Sequence, residues 1–145
     1  MMTDFREIDD NLLASPQISV EDVATAKSLG VTLIINNRPD NESDDQPAGA
    51  DIEAAARAAG IDYVAIPVGH AGFGLGQVEA MRDALDHANG KVLAYCRSGT
   101  RSTLLWALAE AKAGKNPSVI ASKASHGGYD ISPIRQMVEM LSAGG

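Results

Sequence analysis

Short apolar runs along the chain predict the strands of a buried sheet. The run at 31–36 is mainly β-branched, and the runs at 61–68 and 91–95 are bounded by glycine or polar residues. Continuous apolar runs of this length are typical of strands that are covered on both faces. Before them, residues 5–13 alternate between apolar and polar positions around Asp9-Asp10-Asn11, a pattern that predicts a short hairpin.

The segments between these runs have apolar residues at helical spacing. Val78, Met81 and Leu85 form one apolar face of a helix predicted over 77–88. Ser19 is a suitable N-cap for a helix that Gly30 ends. By contrast, the glycines in 70–76 predict a flexible loop. The other predicted helices cover residues 49–59, 102 or 103 to 113, 117–124 and 132–141.

Strands and helices alternate along the chain, and this order predicts the fold class. It favours an α/β fold in which a mostly parallel central sheet is flanked by helices on both faces. The 145 residues are enough for one hydrophobic core, and the sequence shows no internal repeat or linker. We therefore expect a single domain over residues 1–145.

Composition and charge narrow the range of functions. The formal net charge of −7 disfavours nucleic acid and anionic membranes as partners, because an acidic chain repels phosphate groups. No apolar run approaches the roughly 20 residues that span a bilayer, and the N-terminus lacks the pattern of a signal peptide. We therefore expect a cytoplasmic protein with no membrane association, whose single cysteine stays reduced.

The cysteine lies in the segment CRSGTRS at 96–102, directly after the predicted strand 91–95. A glycine-containing turn that enters a helix points successive backbone N–H groups at one place, and the helix N-terminus adds partial positive charge there. Helix N-termini and nearby guanidinium groups also favour the thiolate form of a cysteine. The loop falls at the carboxyl end of a parallel strand, where α/β folds bind ligands. We therefore predict Cys96 as a nucleophile, beside an anion cradle formed by Arg97, Ser98, Gly99, Thr100 and Arg101.

Other residues in the predicted loops and at the start of the helix could take part in the site or serve only the fold. Ser102 either caps the following helix or bonds to Cys96 and tunes its reactivity, and one hydroxyl can do both. His70 is either a proton donor or an exposed loop residue. Arg38 either braces the active-site loop or caps a turn, and the acidic segment 40–45 is expected to be solvated. The three scattered histidines lack ligand spacing, so neither a metal nor a cofactor is predicted.

These features together resemble known families. The order strand, cysteine, loop, arginine, serine and helix is shared by protein tyrosine and dual-specificity phosphatases and by rhodanese-type sulfurtransferases. The segments LIINNRPDNE and IDYVAIPV resemble the corresponding segments of dual-specificity phosphatases. Nearly the whole chain is similar to the beta-lactamase hydrolase-like family, which is also found fused to persulfide dioxygenases. The resemblance implies a cysteine-phosphatase-like fold and makes Arg101 the clamp on the substrate anion.

Two departures from the phosphatase pattern favour a different reaction. Four residues separate Cys96 from Arg101, where these phosphatases have five, and the shorter spacing resembles that of rhodaneses. The loop 68–74 also lacks the carboxylate that serves as general acid in the phosphatases. Sulfur transfer needs no such acid, because sulfite or a thiolate is already a good leaving group. We therefore predict sulfane-sulfur transfer through a persulfide on Cys96.

Two alternatives to sulfur transfer remain open. The first is hydrolysis of a phosphate monoester or of phosphotyrosine through a cysteinyl-phosphate, and the second is a catalytically silent anion-binding or redox-sensing module. The expected substrate is a small anion, namely thiosulfate, a persulfide or a phosphate ester. A thiol acceptor or a persulfide dioxygenase is the candidate partner for sulfur transfer. The physiological donor and acceptor and the oligomeric state are not predicted.

Overall fold

A five-stranded sheet with the strand order β1-β2-β5-β3-β4 forms the centre of the molecule. The computed structural model describes residues 4–69 and 71–144. The strands are β1 Arg6–Glu7, β2 Leu12–Ser15, β3 Val31–Asn36, β4 Asp62–Ala65 and β5 Lys91–Tyr95. The helices are α1 Val20–Ser28, α2 Gly49–Ala58, α3 Leu75–His87, α4 Thr100–Lys112, α5 Pro117–His126 and α6 Arg135–Ser142, with a 3₁₀ turn over Ser132–Ile134 before α6.

The pairing of the strands confirms the mostly parallel sheet. β5 lies between β2 and β3 and is parallel to both, and β4 is parallel to β3 at one edge. β1 is the exception, because it pairs antiparallel with β2 as the first half of the predicted hairpin. The carboxyl ends of four parallel strands therefore lie along the same edge of the sheet, where an α/β fold places its ligands.

Helices cover both faces of the sheet, as predicted. Alternate residues of β3 show the division: Ile34 packs in one buried cluster with α1 and α2, and Ile35 packs in the other with α3 to α6. α4 is buried on almost every side and packs against α3, α5 and α6, which makes it the central helix. Of the helices in the described part of the chain, none is long and apolar enough to cross a bilayer.

The strand predicted over 61–68 is shorter than expected. β4 covers only Asp62–Ala65, and its last residue pairs with Asn36, the last residue of β3. Beyond that point β4 has no neighbouring strand to continue the ladder, and Pro67 has no N–H to donate. The Ile66 N–H still donates to the carbonyl of Asn36 at the end of β3, and the Val68 N–H donates to the Asn37 carbonyl just beyond it, both at 2.9 Å.

Three helix boundaries also differ from the prediction. α3 begins at Leu75, not at 77, because the Gln77 side chain accepts a hydrogen bond of 2.7 Å from the Gly74 N–H and closes the first turn there. α4 begins at Thr100, not at 102 or 103, with Gly99 as its N-cap. The helix predicted over 132–141 is divided into the 3₁₀ turn and α6. The Ile134 N–H donates to the Ile131 carbonyl at 2.9 Å, a hydrogen bond across three residues that makes this turn 3₁₀.

Candidate active site

Cys96 follows the last residue of β5 and lies between the two strands that flank it. Its backbone N–H donates to the Ser15 carbonyl at the end of β2, at 3.3 Å. On the other side, the Asn37 N–H donates to the Tyr95 carbonyl at 2.8 Å. The Cys96 side chain is completely buried. The sheet thus fixes the base of the loop before the loop itself begins.

The turn after Cys96 points a backbone N–H at its sulfur. Gly99 donates to Cys96 Sγ at 3.1 Å and has a φ of 89°, a backbone conformation that residues with a Cβ rarely adopt. A Cβ at this position would overlap the Tyr129 hydroxyl and lie 3.2 Å from the Ser15 carbonyl carbon. The close approach of neighbouring chain therefore requires glycine at position 99.

The Arg101 side chain is held by groups from two other loops. Its guanidinium donates to both carboxylate oxygens of Glu42 at 2.8 Å and to the Val68 carbonyl at 2.6 Å. The hydrogen bond to Glu42 is the main cause that raises the pKa of Arg101, and the nearby sulfur of Cys96 raises it further. Arg101 is thus a fixed cation between Glu42 and Cys96, on the first turn of α4.

Glu42 connects this arginine to a second one. Arg38 is 5% exposed, and its Nε donates to Glu42 Oε1 at 3.0 Å. Its Nη1 donates to the Gln17 side chain at 3.0 Å, and the Gln17 N–H donates to the Arg97 carbonyl at 3.3 Å. Arg38 therefore braces the loop that holds Cys96, which decides between the two interpretations of its sequence.

The charge of Glu42 is fixed by these two guanidinium groups. The hydrogen bond from Arg101, with a smaller contribution from Arg38, lowers the pKa of Glu42 to about 2 against the opposing effect of burial. Glu42 is therefore ionised at neutral pH and has no proton to donate. The expectation that the acidic segment 40–45 is simply solvated is wrong for Glu42, whose side chain is 16% exposed.

The remaining cradle residues are arranged around the loop mouth. Ser98 and Thr100 are exposed, and the Ser98 hydroxyl donates to the Thr100 hydroxyl at 3.0 Å. The Ser98 carbonyl accepts a hydrogen bond of 3.1 Å from the Tyr129 hydroxyl. Arg97 is exposed and makes no ion pair with any residue that the structure describes. Its guanidinium is therefore available to an anion approaching from solvent.

Ser102 lies within the first turn of α4 and does not cap the helix. Its hydroxyl is fully buried, and within the described part of the chain it has no hydrogen-bond partner, Cys96 included. The Asn37 carboxamide oxygen is buried and unpartnered in the same sense, although the Asn37 amide donates to the Ile66 carbonyl at 2.9 Å. Among the described residues, the Ser102 hydroxyl therefore has hydrogen-bonding capacity that the fold does not use.

Neither of the two histidines that the structure describes hydrogen-bonds to the loop 96–101. His70, the candidate proton donor, lies outside the described residues. His87 bonds to the Asp83 carbonyl at 2.8 Å on the surface of α3, and His126 faces Glu7 at 3.6 Å. Across residues 4–69 and 71–144, no cluster of His, Cys, Asp or Glu side chains has the number and placement to hold a metal ion.

Glu42 and Tyr129, like Gln17, are site residues that the sequence does not identify. Glu42 is 59 residues away from Arg101 in the chain, and Tyr129 is 31 residues away from Ser98. No local spacing connects either pair. The only available signal for Glu42 was its place on a loop after a parallel strand, which is the edge where α/β sites form.

The chain is similar to a known protein family over most of its length. The phosphatase-like domain of the beta-lactamase hydrolase-like protein matches residues 4–113. A beta-lactamase hydrolase-like protein of Agrobacterium fabrum is 33% identical over 137 residues, which cover 94% of this chain and 32% of the relative. The chain thus spans about a third of the length of this curated relative.

Solved structures share the fold. A protein from Neisseria meningitidis provisionally named a phosphatase has a TM-score of 0.84 and 32% identity, and the match covers 97% of this chain and 99% of that protein. TpbA of P. aeruginosa, solved in complex with phosphotyrosine, has a TM-score of 0.64 and 15% identity over 99% of this chain and 92% of its own. These likenesses confirm the phosphatase-like fold. The family model and the curated relative establish that the chain belongs to the beta-lactamase hydrolase-like family through its phosphatase-like domain.

Proposed function

We propose that the chain hydrolyses phosphate monoesters through a covalent phosphate on Cys96. The observation that carries the proposal is the placement of three groups: the Cys96 sulfur at the base of the loop, the Gly99 N–H bonded to it, and the Arg101 guanidinium beside it. Membership of a phosphatase-like family supports the same reaction. The sequence alone favours sulfur transfer and leaves phosphate hydrolysis as the alternative, so the order of the two reactions is reversed here.

In the first step, the Cys96 thiolate attacks the phosphorus atom. A bond forms between sulfur and phosphorus, the bond between phosphorus and the ester oxygen breaks, and the ester oxygen leaves with its electron pair. Loop N–H groups and Arg101 bind the three remaining phosphoryl oxygens, which carry the charge of the transition state. Arg97 at the exposed mouth attracts the dianion from solvent against the net charge of −7.

In the second step, water attacks the phosphorus atom of the cysteinyl-phosphate. The bond between phosphorus and sulfur breaks, the thiolate leaves, and inorganic phosphate is released with one proton of the water taken up by solvent. The Ser102 hydroxyl, which has no partner in the described structure, can rotate to donate to the departing Cys96 sulfur. That bond would stabilise the leaving thiolate and so speed this step.

The leaving group distinguishes between substrates. The described residues of the loop 68–74 contain no carboxylate, and Glu42 is ionised and bonded to two arginines. His70 is the candidate donor on this loop. We propose that aryl phosphates such as phosphotyrosine are preferred over alkyl phosphates, because a phenolate leaves without full protonation, whereas an alkoxide depends on a general acid. TpbA, which shares the fold, was solved with phosphotyrosine.

Sulfane-sulfur transfer is the second candidate. It is favoured by two observations, the four residues between Cys96 and Arg101 and the absence of a carboxylate from the sequence 68–74. In this reaction the Cys96 thiolate attacks the outer sulfur of thiosulfate, a sulfur–sulfur bond forms, and sulfite leaves. A thiol acceptor, including one presented by a persulfide dioxygenase, then takes the outer sulfur and returns the thiolate.

The test compares the two substrates on one protein. Wild type and Cys96→Ser are assayed with p-nitrophenyl phosphate for phosphate release, and with thiosulfate plus a thiol for sulfite release. The proposal expects phosphate release that Cys96→Ser abolishes, and little sulfite. Sulfite release that depends on Cys96, without phosphate release, would replace the proposal by the second candidate.

A further inference from the structure

Tyr129 reaches the active-site loop from a distant part of the chain. It lies between α5 and the 3₁₀ turn, and it is 8% exposed. Its hydroxyl donates to the Ser98 carbonyl at 3.1 Å. Its ring packs in the buried cluster with α4, and the Arg6 guanidinium lies 5.3 Å from the ring centroid. The tyrosine is therefore held on three sides while its hydroxyl contacts the loop.

The peptide unit that Tyr129 holds is also the one that contacts Cys96. The carbonyl of this unit belongs to Ser98 and accepts from Tyr129, and its N–H belongs to Gly99 and donates to Cys96 Sγ at 3.1 Å. A peptide unit is planar, and its carbonyl and N–H point in opposite directions. Fixing the oxygen on one side therefore aims the N–H at the sulfur on the other.

The sequence at this point makes such a restraint necessary. Glycine adopts positive and negative φ with similar ease, so the peptide unit before Gly99 can rotate at low cost. A rotated unit would present the Ser98 carbonyl oxygen to the Cys96 sulfur in place of an N–H, and this oxygen would repel a thiolate. The Tyr129 hydroxyl occupies the space where a Cβ of residue 99 would lie, so it contacts the loop at the point that needs support.

We propose that Tyr129 is a positioning residue that holds the Ser98–Gly99 peptide unit with its N–H on the Cys96 sulfur, and so supports Cys96 as a nucleophile. The inference rests on Cys96 being the nucleophile of the proposed function, but not on whether Cys96 attacks phosphorus or sulfur. Two hydrogen bonds that share one peptide unit also polarise each other, which strengthens the contact with the sulfur.

The groups around Cys96 allow Tyr129 to act in this way. Burial raises the pKa of Tyr129, and the negative charge of Cys96 raises it further, while Arg6 opposes both effects. The phenol therefore remains protonated and donating at neutral pH. Within the described part of the chain, the charged groups that contact the sulfur or its neighbours here are Arg101 on α4 and Glu42, which bonds to Arg101. A change at Tyr129 leaves both of these in place.

The experiment measures alkylation of Cys96, the single cysteine, by iodoacetamide in wild type and Tyr129→Phe. At about pH 6 the variant should react about fivefold more slowly, the effect of one hydrogen bond. At about pH 10, where solvent alone ionises an ordinary thiol, the two rates should agree. Replacement of Tyr129 by 4-aminophenylalanine, which restores a donor at the same place, should recover the rate at low pH.

Tyr63→Phe is the matched control. Tyr63 is another tyrosine in a polar contact, since its hydroxyl accepts a hydrogen bond of 3.0 Å from the Asn36 side chain, but it packs on the opposite face of the sheet. Its loss should leave alkylation unchanged at both pH values. Equal rates for wild type and Tyr129→Phe at low pH would overturn the inference, and so would equal slowing at both pH values or a failure of 4-aminophenylalanine to recover the rate.

The alkylation assay separates this inference from the proposed function. Slow alkylation of Tyr129→Phe at low pH, in a protein that releases no phosphate, would sustain the role of Tyr129 and contradict phosphate hydrolysis. Phosphate release by wild type together with unchanged alkylation of Tyr129→Phe would support phosphate hydrolysis and contradict the role of Tyr129.

Discussion

At the scale of single residues, Arg101 has the strongest claim to bind the substrate anion. Its guanidinium bonds to both oxygens of Glu42 and to the Val68 carbonyl. A lysine ammonium is a point charge on a flexible stem and cannot reproduce this planar geometry. We expect Arg101→Lys to lower kcat/KM for p-nitrophenyl phosphate roughly 100-fold, the cost typical of losing a donor to the transition state.

Arg97→Lys is the matched control for this prediction. Arg97 belongs to the same loop but is exposed, so a lysine there keeps the charge that attracts the substrate. The loss should be no more than about threefold, as for a surface charge that affects only encounter. Steady-state kinetics of both variants decide the matter, and equal losses would show that the clamp is wrongly assigned.

Glu42 gives a prediction about stability and pH. Its pKa is lowered from 4.5 to about 2, chiefly by Arg101, so its contribution to stability is present above about pH 4.5 and is lost as the pH falls toward 2. We expect Glu42→Gln to reduce the free energy of unfolding at neutral pH by about 2 kcal/mol. The difference from wild type should shrink below about pH 4.

Urea unfolding of both proteins at a series of pH values measures this difference. Parallel pH profiles for wild type and Glu42→Gln would mean that the ion pairs of Glu42 with Arg101 and Arg38 do not stabilise the fold. In the same variant Arg101 loses its bidentate partner, so kcat/KM should fall as well.

At the scale of elements, the two ends of α4 can be compared. Gly99 is the N-cap of α4 and has a φ of 89°, and Gly114 follows the C-cap of the same helix and has a φ of 86°. An alanine pays the same backbone cost of about 1 kcal/mol at both places. The surroundings differ, because a Cβ at Gly114 meets nothing within 4 Å, whereas one at Gly99 overlaps the Tyr129 hydroxyl.

We therefore expect Gly114→Ala to lower the free energy of unfolding by about 1 kcal/mol with unchanged activity. Gly99→Ala should cost at least about 2 kcal/mol, since the neighbouring chain must also move, and it should abolish most of the activity. Urea unfolding and phosphate release measure both effects. Equal stability of the two variants would show that the loop has room at position 99 and that its conformation does not depend on Tyr129.

The elements were predictable where one physical signal dominates. The apolar runs of β3 and β5 locate both strands within a residue, because burial on both faces leaves no choice of residue type. Element boundaries that depend on a single contact were not predictable. α4 starts two residues early because Gly99 supplies its N-cap, and β4 stops early because its neighbour ends at Asn36.

The residues of the site also divide into those that the sequence identifies and those that it does not. Cys96, Arg101 and the cradle lie in one segment of seven residues, so the sequence alone identifies them as a group. Glu42, Arg38, Gln17 and Tyr129 come to the loop from other parts of the chain. The sequence makes Arg38 a candidate brace of the loop, but no local spacing connects Glu42, Gln17 or Tyr129 to it, and only the fold brings those three residues there.

At the scale of the whole molecule, the sheet and α4 together fix the position of the active-site loop. The sheet fixes Cys96 between the ends of β2 and β3, and α4 is buried among three other helices. Loops from both faces then meet over the carboxyl edge. The result is a local cationic site in a chain whose net charge is −7, and we expect this site to favour small anions.

The central claim is that Cys96 carries a phosphoryl group during turnover. Rapid acid quenching of the wild type with p-nitrophenyl phosphate, followed by intact mass and peptide mapping, tests it directly. Slower release from Ser102→Ala should increase the amount of the intermediate. The account predicts one added phosphoryl group on the peptide that contains Cys96, absent from Cys96→Ser. An unmodified Cys96 during phosphate release, or an added sulfur atom from thiosulfate with no phosphoryl group, would contradict it.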